Sequence, residues 1–177
     1  AVIDDRTSDD DLARLHAAGV RGARFHFCGF FKKRPDMKVF HRSIERMKEL
    51  GWHVLLHVES PELFELESVI RSMPIPVIID HIAHMKIQEG LQQPGFRKLL
   101  ELQRLDHVWI KVCNSDRWSQ SGPPAYADAI PFGRAVMENG TSRLIWATDW
   151  PHVMYKDPRN VGAPPPDDAD LLDLFYS

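Results

Sequence analysis

The stretch Leu144-Ile145-Trp146-Ala147-Thr148-Asp149-Trp150-Pro151-His152 decides how the rest of the chain is read. Its first residues form an apolar run of the kind shown by a strand buried on both faces. Pro151 lacks an amide hydrogen and cannot continue a central strand, so the strand should stop at or just before Asp149. An ionisable side chain is then left at the carboxyl end of a buried parallel strand. In α/β folds, ligands bind and chemistry takes place at that end.

Upstream of this stretch the pattern alternates. Residues 9–19 predict a capped helix, and residues 20–27 a strand with Arg24 and His26 on one side and Ala23, Phe25 and Phe27 on the other. Ile44, Met47, Lys48 and Leu50 then carry helical spacing up to Gly51. Strands are predicted over residues 53–58, 76–81 and 108–112, and helices over 63–73, 96–105 and 128–139. Glu62, Glu65 and Arg71 are placed as the dipole of the 63–73 helix favours. No Asn-Gly hairpin separates two strands, since Asn139-Gly140 closes a helix. Strands alternating with helices, each strand read as apolar on both faces, predict a parallel sheet with helices outside. The chain is read as one domain over residues 1–177. Residues 1–4 read as the tail of a strand, and residues 170–177 as a helix cut short.

Bulk properties exclude several classes. The 177 residues suffice for one domain with a substantial core, and an apolar fraction of 44% with 27% charged residues is ordinary for a globular protein. The formal charge of -3 argues against nucleic acid or a membrane surface as partner. No apolar run is long enough to cross a bilayer. The two cysteines, Cys28 and Cys113, lie at no metal-ligand spacing and fit a reducing, cytoplasmic setting. Gly-x-Gly-x-x-Gly is absent, which argues against a dinucleotide site.

The predicted strands end in chemistry-bearing residues: Arg24 and His26, then His57, then Asp80 and His81, with Arg117 just past the fourth strand and Asp149 at the fifth. If the strands are parallel, these residues share one rim. Individually they have plain structural readings too. Asp149 suits a helix N-cap, and His57 a hydrogen bond within the sheet wall. His84 and His152 are either supports for the site or surface groups. His16, His41, His53 and His107 are read as solvent-facing. Trp118 and Trp150 are either core or stacking surfaces for a flat ring.

Asp80-His81, Thr148-Asp149-Trp150-Pro151-His152 and Gly22-Ala23-Arg24-Phe25 resemble the amidohydrolase superfamily, in particular its 2-pyrone-4,6-dicarboxylate lactonase branch. The resemblance runs over nearly the whole chain and implies a (β/α)8 barrel. It implies that Asp149 takes a proton from the attacking water. His81 and His57 are then expected to polarise the substrate carbonyl, directly or through a metal held with Asp149. Arg24 and Arg117 match positions that hold substrate carboxylates. A second basic group near Arg24 is expected among Lys32, Lys33 and Arg34, a run that also reads as a solvated loop. One divalent metal, zinc or manganese, and no metal at all both stay open. The His-x-His of the family's first strand is not in this sequence, so the barrel is expected to lack its opening strands and part of its last helix.

Ester hydrolysis needs a water, a base for its proton and a group to stabilise the oxyanion. Arginine suits a carboxylate because its planar fork makes two parallel hydrogen bonds. The expectation is therefore a hydrolase of a small carboxylated cyclic ester, of the kind met in aromatic-compound catabolism. Two other readings stay open: a metal-dependent decarboxylase of a small aromatic or unsaturated acid, and a non-catalytic fragment that acts in assembly. Self-association into a homo-oligomer is also open.

Overall fold

The structure is a computed structural model and describes residues 1–29, 31, 34–152 and 165–173. Five parallel strands pair in sequential order: β1 (Gly22–His26), β2 (His53–His57), β3 (Val77–Ile79), β4 (Val108–Val112) and β5 (Leu144–Trp146). Helices α1 (Asp9–Ala17), α2 (Met37–Glu49), α3 (Ser60–Glu65), α4 (Glu67–Arg71), α5 (Pro94–Gln103), α6 (Ser115–Trp118), α7 (Ile130–Asn139) and α8 (Asp168–Asp173) punctuate them. Sequential order with a helical crossover between parallel neighbours is the construction of a β/α barrel wall. Residues 1–3 run along the free edge of β1: Ala1 donates to the Gly22 carbonyl at 2.9 Å, and the Arg24 amide donates back to Ala1 at 2.8 Å.

Local signals explain the helix starts. Ser8 caps α1 in a reciprocal capping box with Asp11, and the Asp36 carboxylate caps α2 by accepting from the Lys38 and Val39 amides. The helix expected over residues 63–73 is two short helices that meet at Leu66. It begins earlier than expected because Glu59 and Glu62 form a capping box that opens α3. The fifth strand ends at Trp146, three residues before Asp149, so Ala147 and Thr148 belong to the rim.

Strand β3 is apolar and buried throughout, as expected, but β1 and β4 are not apolar on both faces. Ala23, Phe25, Val54, Leu56, Val108, Ile110 and Val112 are buried toward the helices. Their alternates, Arg24 and His26 on β1 and Lys111 on β4, are half-buried on the other face. The helix-facing residues join Phe40, Met47, Leu63, Ile70, Phe96, Leu99 and Phe132 in one core. Leu56 is 1% exposed within it. Leu56→Ala is expected to cost about 2–5 kcal/mol of stability, measured by urea denaturation, because close packing leaves a cavity. A change below about 1 kcal/mol would place Leu56 outside the core.

Three of the four histidines expected at the surface are half-buried. His16 Nδ1 accepts from Trp52 Nε1 at 2.9 Å, and His107 Nε2 lies 2.8 Å from the Ile70 carbonyl. The His53 ring lies against Gly22, where a Cβ would come within 2.3 Å of it. Each ring fills space between elements and finds a polar partner or a glycine there, which is why it leaves the surface. His41 alone is exposed.

Candidate active site

Register builds the site. His26 pairs with His57 across β1 and β2. Leu56 pairs with Ile79, and Ile79 with Ile110, so Asp80 comes level with His57 on one side and Lys111 on the other. One row therefore carries His26, His57, Asp80 and Lys111 at the carboxyl ends of four strands. Arg24, two residues back on β1, reaches forward into it: its Nη2 lies 2.6 Å from Asp80 Oδ2 and 3.1 Å from His81 Nε2.

After β3 the backbone turns left-handed. His81, Ile82, Ala83 and His84 have φ of 53°, 46°, 52° and 48°. For non-glycine residues, and a β-branched one especially, this conformation costs roughly 1–2 kcal/mol each. The turn returns both histidines to the rim, with ring centroids 5.0 Å apart. Asn114 (φ 64°) after β4 and Asp149 (φ 67°) after β5 also occupy this region. Backbone strain at the ends of three neighbouring strands is a pattern that clusters at functional sites.

Two hydrogen-bonded histidine systems result. A guanidinium only donates, so His81 Nε2 accepts from Arg24, and the ring proton sits on Nδ1. Nδ1 faces Cys113 Sγ at 2.9 Å. In the second system, His26 Nδ1 lies 2.8 Å from His57 Nδ1, and His57 Nε2 lies 2.8 Å from His84 Nε2. Burial lowers the pKa of every ring here. His57 falls to about 2, with Arg24 and His84 adding to the effect. His84 falls to about 4, with Arg117 and Arg24 adding. His26 and His81 are also lowered, chiefly by burial. Burial holds the Asp80 carboxyl above its ordinary range, against the pull of Arg24 and of Lys111 at 3.3 Å.

These shifts set the acid stability. The neutral rings keep the folded chain from taking up protons that the unfolded chain binds below its histidine value of 6.5. Their contribution is complete above that value and is lost as the pH falls through it. The raised Asp80 and Asp116 oppose this at lower pH. The urea midpoint is therefore expected to fall between about pH 7.5 and about pH 5, and to fall less in His57→Gln. A midpoint that holds or rises on acidification would contradict the neutral-ring assignment.

Asp149 lies 4.0 Å from His81 Nε2 and 3.8 Å from Arg117 Nη2. Arg24, His81, Asp149 and Arg117 are thus brought to one place, with each arginine side chain 31% exposed. His57 adjoins them, its ring 5.3 Å from that of His81. Arg34 is engaged elsewhere: it pairs with Glu62 at 2.5 Å and Glu65 at 2.7 Å, tying its loop to α3. It also lines, with Arg24 and His26, a cleft of about 350 Å³ beside β1. Lys32 and Lys33 lie outside the described residues. His152 is buried and bonded to Asp168 at 2.9 Å, so it supports the rim. Trp118 belongs to the core, whereas Trp150 is 75% exposed.

The trio His57, His81 and Asp149 does not close on one point as a metal site would. The two ring nitrogens of His57 face His26 and His84, while His81 turns Nε2 toward Arg24 and Asp149. No step below is routed through a metal held by that trio. Sequence placed Asp80 on the rim without a particular role, and singled out neither Lys111 nor Cys113 for the site. Lys111 carried a signal, since a lysine inside a buried parallel strand demands a counter-charge.

A parallel wall with ionisable groups gathered at its carboxyl rim is the arrangement of a (β/α) barrel, whose sites lie at that rim. The chain belongs to the amidohydrolase family, whose model matches residues 1–175. It is 39% identical over 165 residues to a 4-sulfomuconolactone hydrolase of Rhizobium radiobacter, covering 93% of this chain and 54% of the relative. It is 36% identical over 179 residues to a 2-pyrone-4,6-dicarboxylate hydrolase of Comamonas testosteroni, covering 95% of this chain and 56% of the relative. A solved Pseudomonas putida structure, provisionally described as a 2-pyrone-4,6-dicarboxylic acid hydrolase, superposes with a TM-score of 0.77 at 27% identity, covering all of this chain and 64% of that one. The chain spans a little over half the length of the two curated relatives.

Proposed function

We propose that this chain supplies the base and the anion-holding side chains of a lactone hydrolase acting on a small cyclic ester with carboxylate substituents. One observation carries the reading: Asp149 sits between His81 and Arg117, and Arg24 meets the same ring nitrogen of His81, Nε2, that faces Asp149. Asp149 takes a proton from water, the resulting hydroxide attacks the ester carbon, and the ring C–O bond breaks to give a carboxyl group and an anionic former ring oxygen; that oxygen takes the proton from Asp149, and the new carboxyl group loses its own to solvent. Arg24 and Arg117 hold the substrate's anionic groups. His81 is a neutral ring whose Nε2 becomes a donor to the carbonyl only if its proton moves off Nδ1. Cys113, at that nitrogen, accepts or donates to either tautomer and so permits the change.

The lactone chemistry named for the relatives supports this substrate class. Two buried thiols, Cys28 and Cys113, support a reducing cytoplasmic setting. Among the described residues, no helix is long and apolar enough to cross a membrane. The test is turnover of 2-pyrone-4,6-dicarboxylate and 4-sulfomuconolactone by the purified protein, followed by loss of ring absorbance. Hydrolysis of either supports the reading. No turnover of either, with decarboxylation of an aromatic acid instead, would replace it.

A further inference from the structure

We propose that Arg24 is a specificity-determining latch: at rest it blocks Nε2 of His81, and a substrate carboxylate draws it off. The latch rests on the hydrolytic reading and adds to it a reason for an anionic substrate. The guanidinium is poorly bonded where it lies. Nη2 alone serves both Asp80 Oδ2, at 2.6 Å, and His81 Nε2, at 3.1 Å. Nε is buried and, among the described residues, has no hydrogen-bond partner. Together Nε and Nη2 form an edge that takes a carboxylate by two parallel bonds. With Nε buried, that edge is closed to a substrate, so Arg24 must move to use it. Its side chain is 31% exposed and lines the cleft beside β1, so it can turn outward.

Asp80 opposes that move. It is fully buried, and a buried carboxylate stripped of its cations is strongly destabilising. Lys111 lowers this cost. Its Nζ lies 3.3 Å from the other Asp80 oxygen, Oδ1, and stays there when Arg24 leaves. Two cations thus share one buried anion, and the outer one, Arg24, is available to a second anion. The substrate's carboxylate offsets what remains of the cost by pairing with both nitrogens of the freed edge.

The consequence falls on His81. While Arg24 donates to Nε2, the ring proton stays on Nδ1, and the ring cannot donate to a carbonyl. Once Arg24 leaves, Nε2 faces the carboxylates of Asp80 at 3.3 Å and Asp149 at 4.0 Å, which favour a proton there. The ring takes one proton from water at Nε2 and gives the one at Nδ1 to water, so its charge is unchanged. Cys113 fits both states. Its Sγ first accepts from Nδ1 at 2.9 Å, with its own hydrogen toward the Lys111 carbonyl at 4.0 Å. That hydrogen then turns to the bare Nδ1. His81 is now a donor to the ester carbonyl, and only a substrate with a carboxylate for Arg24 has made it one.

Nitrogen-15 NMR of the full-length protein with labelled histidines, at about pH 7.5 where the rings are neutral, tells a protonated ring nitrogen from a bare one. His81→Gln identifies the His81 signals. The probe is isophthalate, a flat ring with two carboxylates and no ester. The His81 proton is expected on Nδ1 without it and on Nε2 with it. In Arg24→Met the proton is expected on Nε2 before any probe is added. Kinetics give a second reading with 2-pyrone, which has the ring without carboxylates and leaves Arg24 in place. Arg24→Met is expected to raise kcat on 2-pyrone, by up to about 10²-fold, the worth of one oxyanion donor, while kcat/KM on 2-pyrone-4,6-dicarboxylate falls. A plain carboxylate clamp would leave 2-pyrone turnover unchanged. If Arg24→Met fails to fold, the isophthalate titration of the parent protein decides. Isophthalate that does not bind, isophthalate bound with the proton still on Nδ1, or an unchanged 2-pyrone kcat in folded Arg24→Met overturns the latch. The tautomer change in a protein that hydrolyses no lactone would sustain the latch and remove the hydrolytic reading.

Discussion

Asp149→Asn is expected to lower kcat on a carboxylated lactone by about 10²–10⁴-fold while KM changes little. The amide keeps the size of the carboxylate and its place between His81 and Arg117 but cannot take a proton from water. Attack then proceeds from neutral water, and the loss appears in the chemical step and not in binding. Steady-state kinetics separate the two. Turnover equal to that of the parent protein would remove Asp149 as the base.

Arg24→Met is expected to have two effects, whereas Arg117→Met has one. Either loss removes a charged hydrogen-bonding partner for a substrate anion, about 2–3 kcal/mol, seen as a KM raised by roughly 30–150-fold. Arg24 also lies 2.6 Å from Asp80, which is 0% exposed. Removing it leaves a buried carboxylate with Lys111 as its remaining cation, a loss of about 3 kcal/mol of stability. Arg117 pairs with the partly exposed Asp149 at 3.8 Å, so its loss should leave stability nearly unchanged. Asp80→Asn added to Arg24→Met should restore stability but not KM. Equal stabilities for the two single variants would show that Asp80 does not depend on Arg24.

The wall of the barrel was legible because its signals are local. Alternating apolar runs and helical spacing separated the strands from the helices, and capping residues such as Ser8 and Asp36 fixed helix starts. Pro151 implied a last strand that stops at or just before Asp149; β5 stops earlier, at Trp146. Arg24, His81, Arg117 and Asp149 were legible as a group because parallel strands place their ends together.

What escaped depends on tertiary geometry. Nothing in Asp80-His81-Ile82-Ala83-His84 signals a left-handed turn: there is no glycine, and Ile82 disfavours one. The turn exists because packing overrides propensity, and His84 reaches His57 only through it. Cys113 read as an isolated thiol until β3 and β4 set it against His81. Arg34 read as either a substrate-holding group or part of a solvated loop, because its partners Glu62 and Glu65 lie 28 and 31 residues away in sequence.

The central claim is that groups from β1, the turn after β3 and the segments after β4 and β5 act on one small anionic ester. The most direct measurement is a crystal structure of the full-length protein with the hydrolysed dicarboxylate product bound. The account predicts substrate carboxylates within hydrogen-bond reach of Arg24 and of Arg117, with the new carboxyl group beside Asp149. Product bound away from these three side chains, with Arg24 still closed on Asp80 and His81, would contradict it.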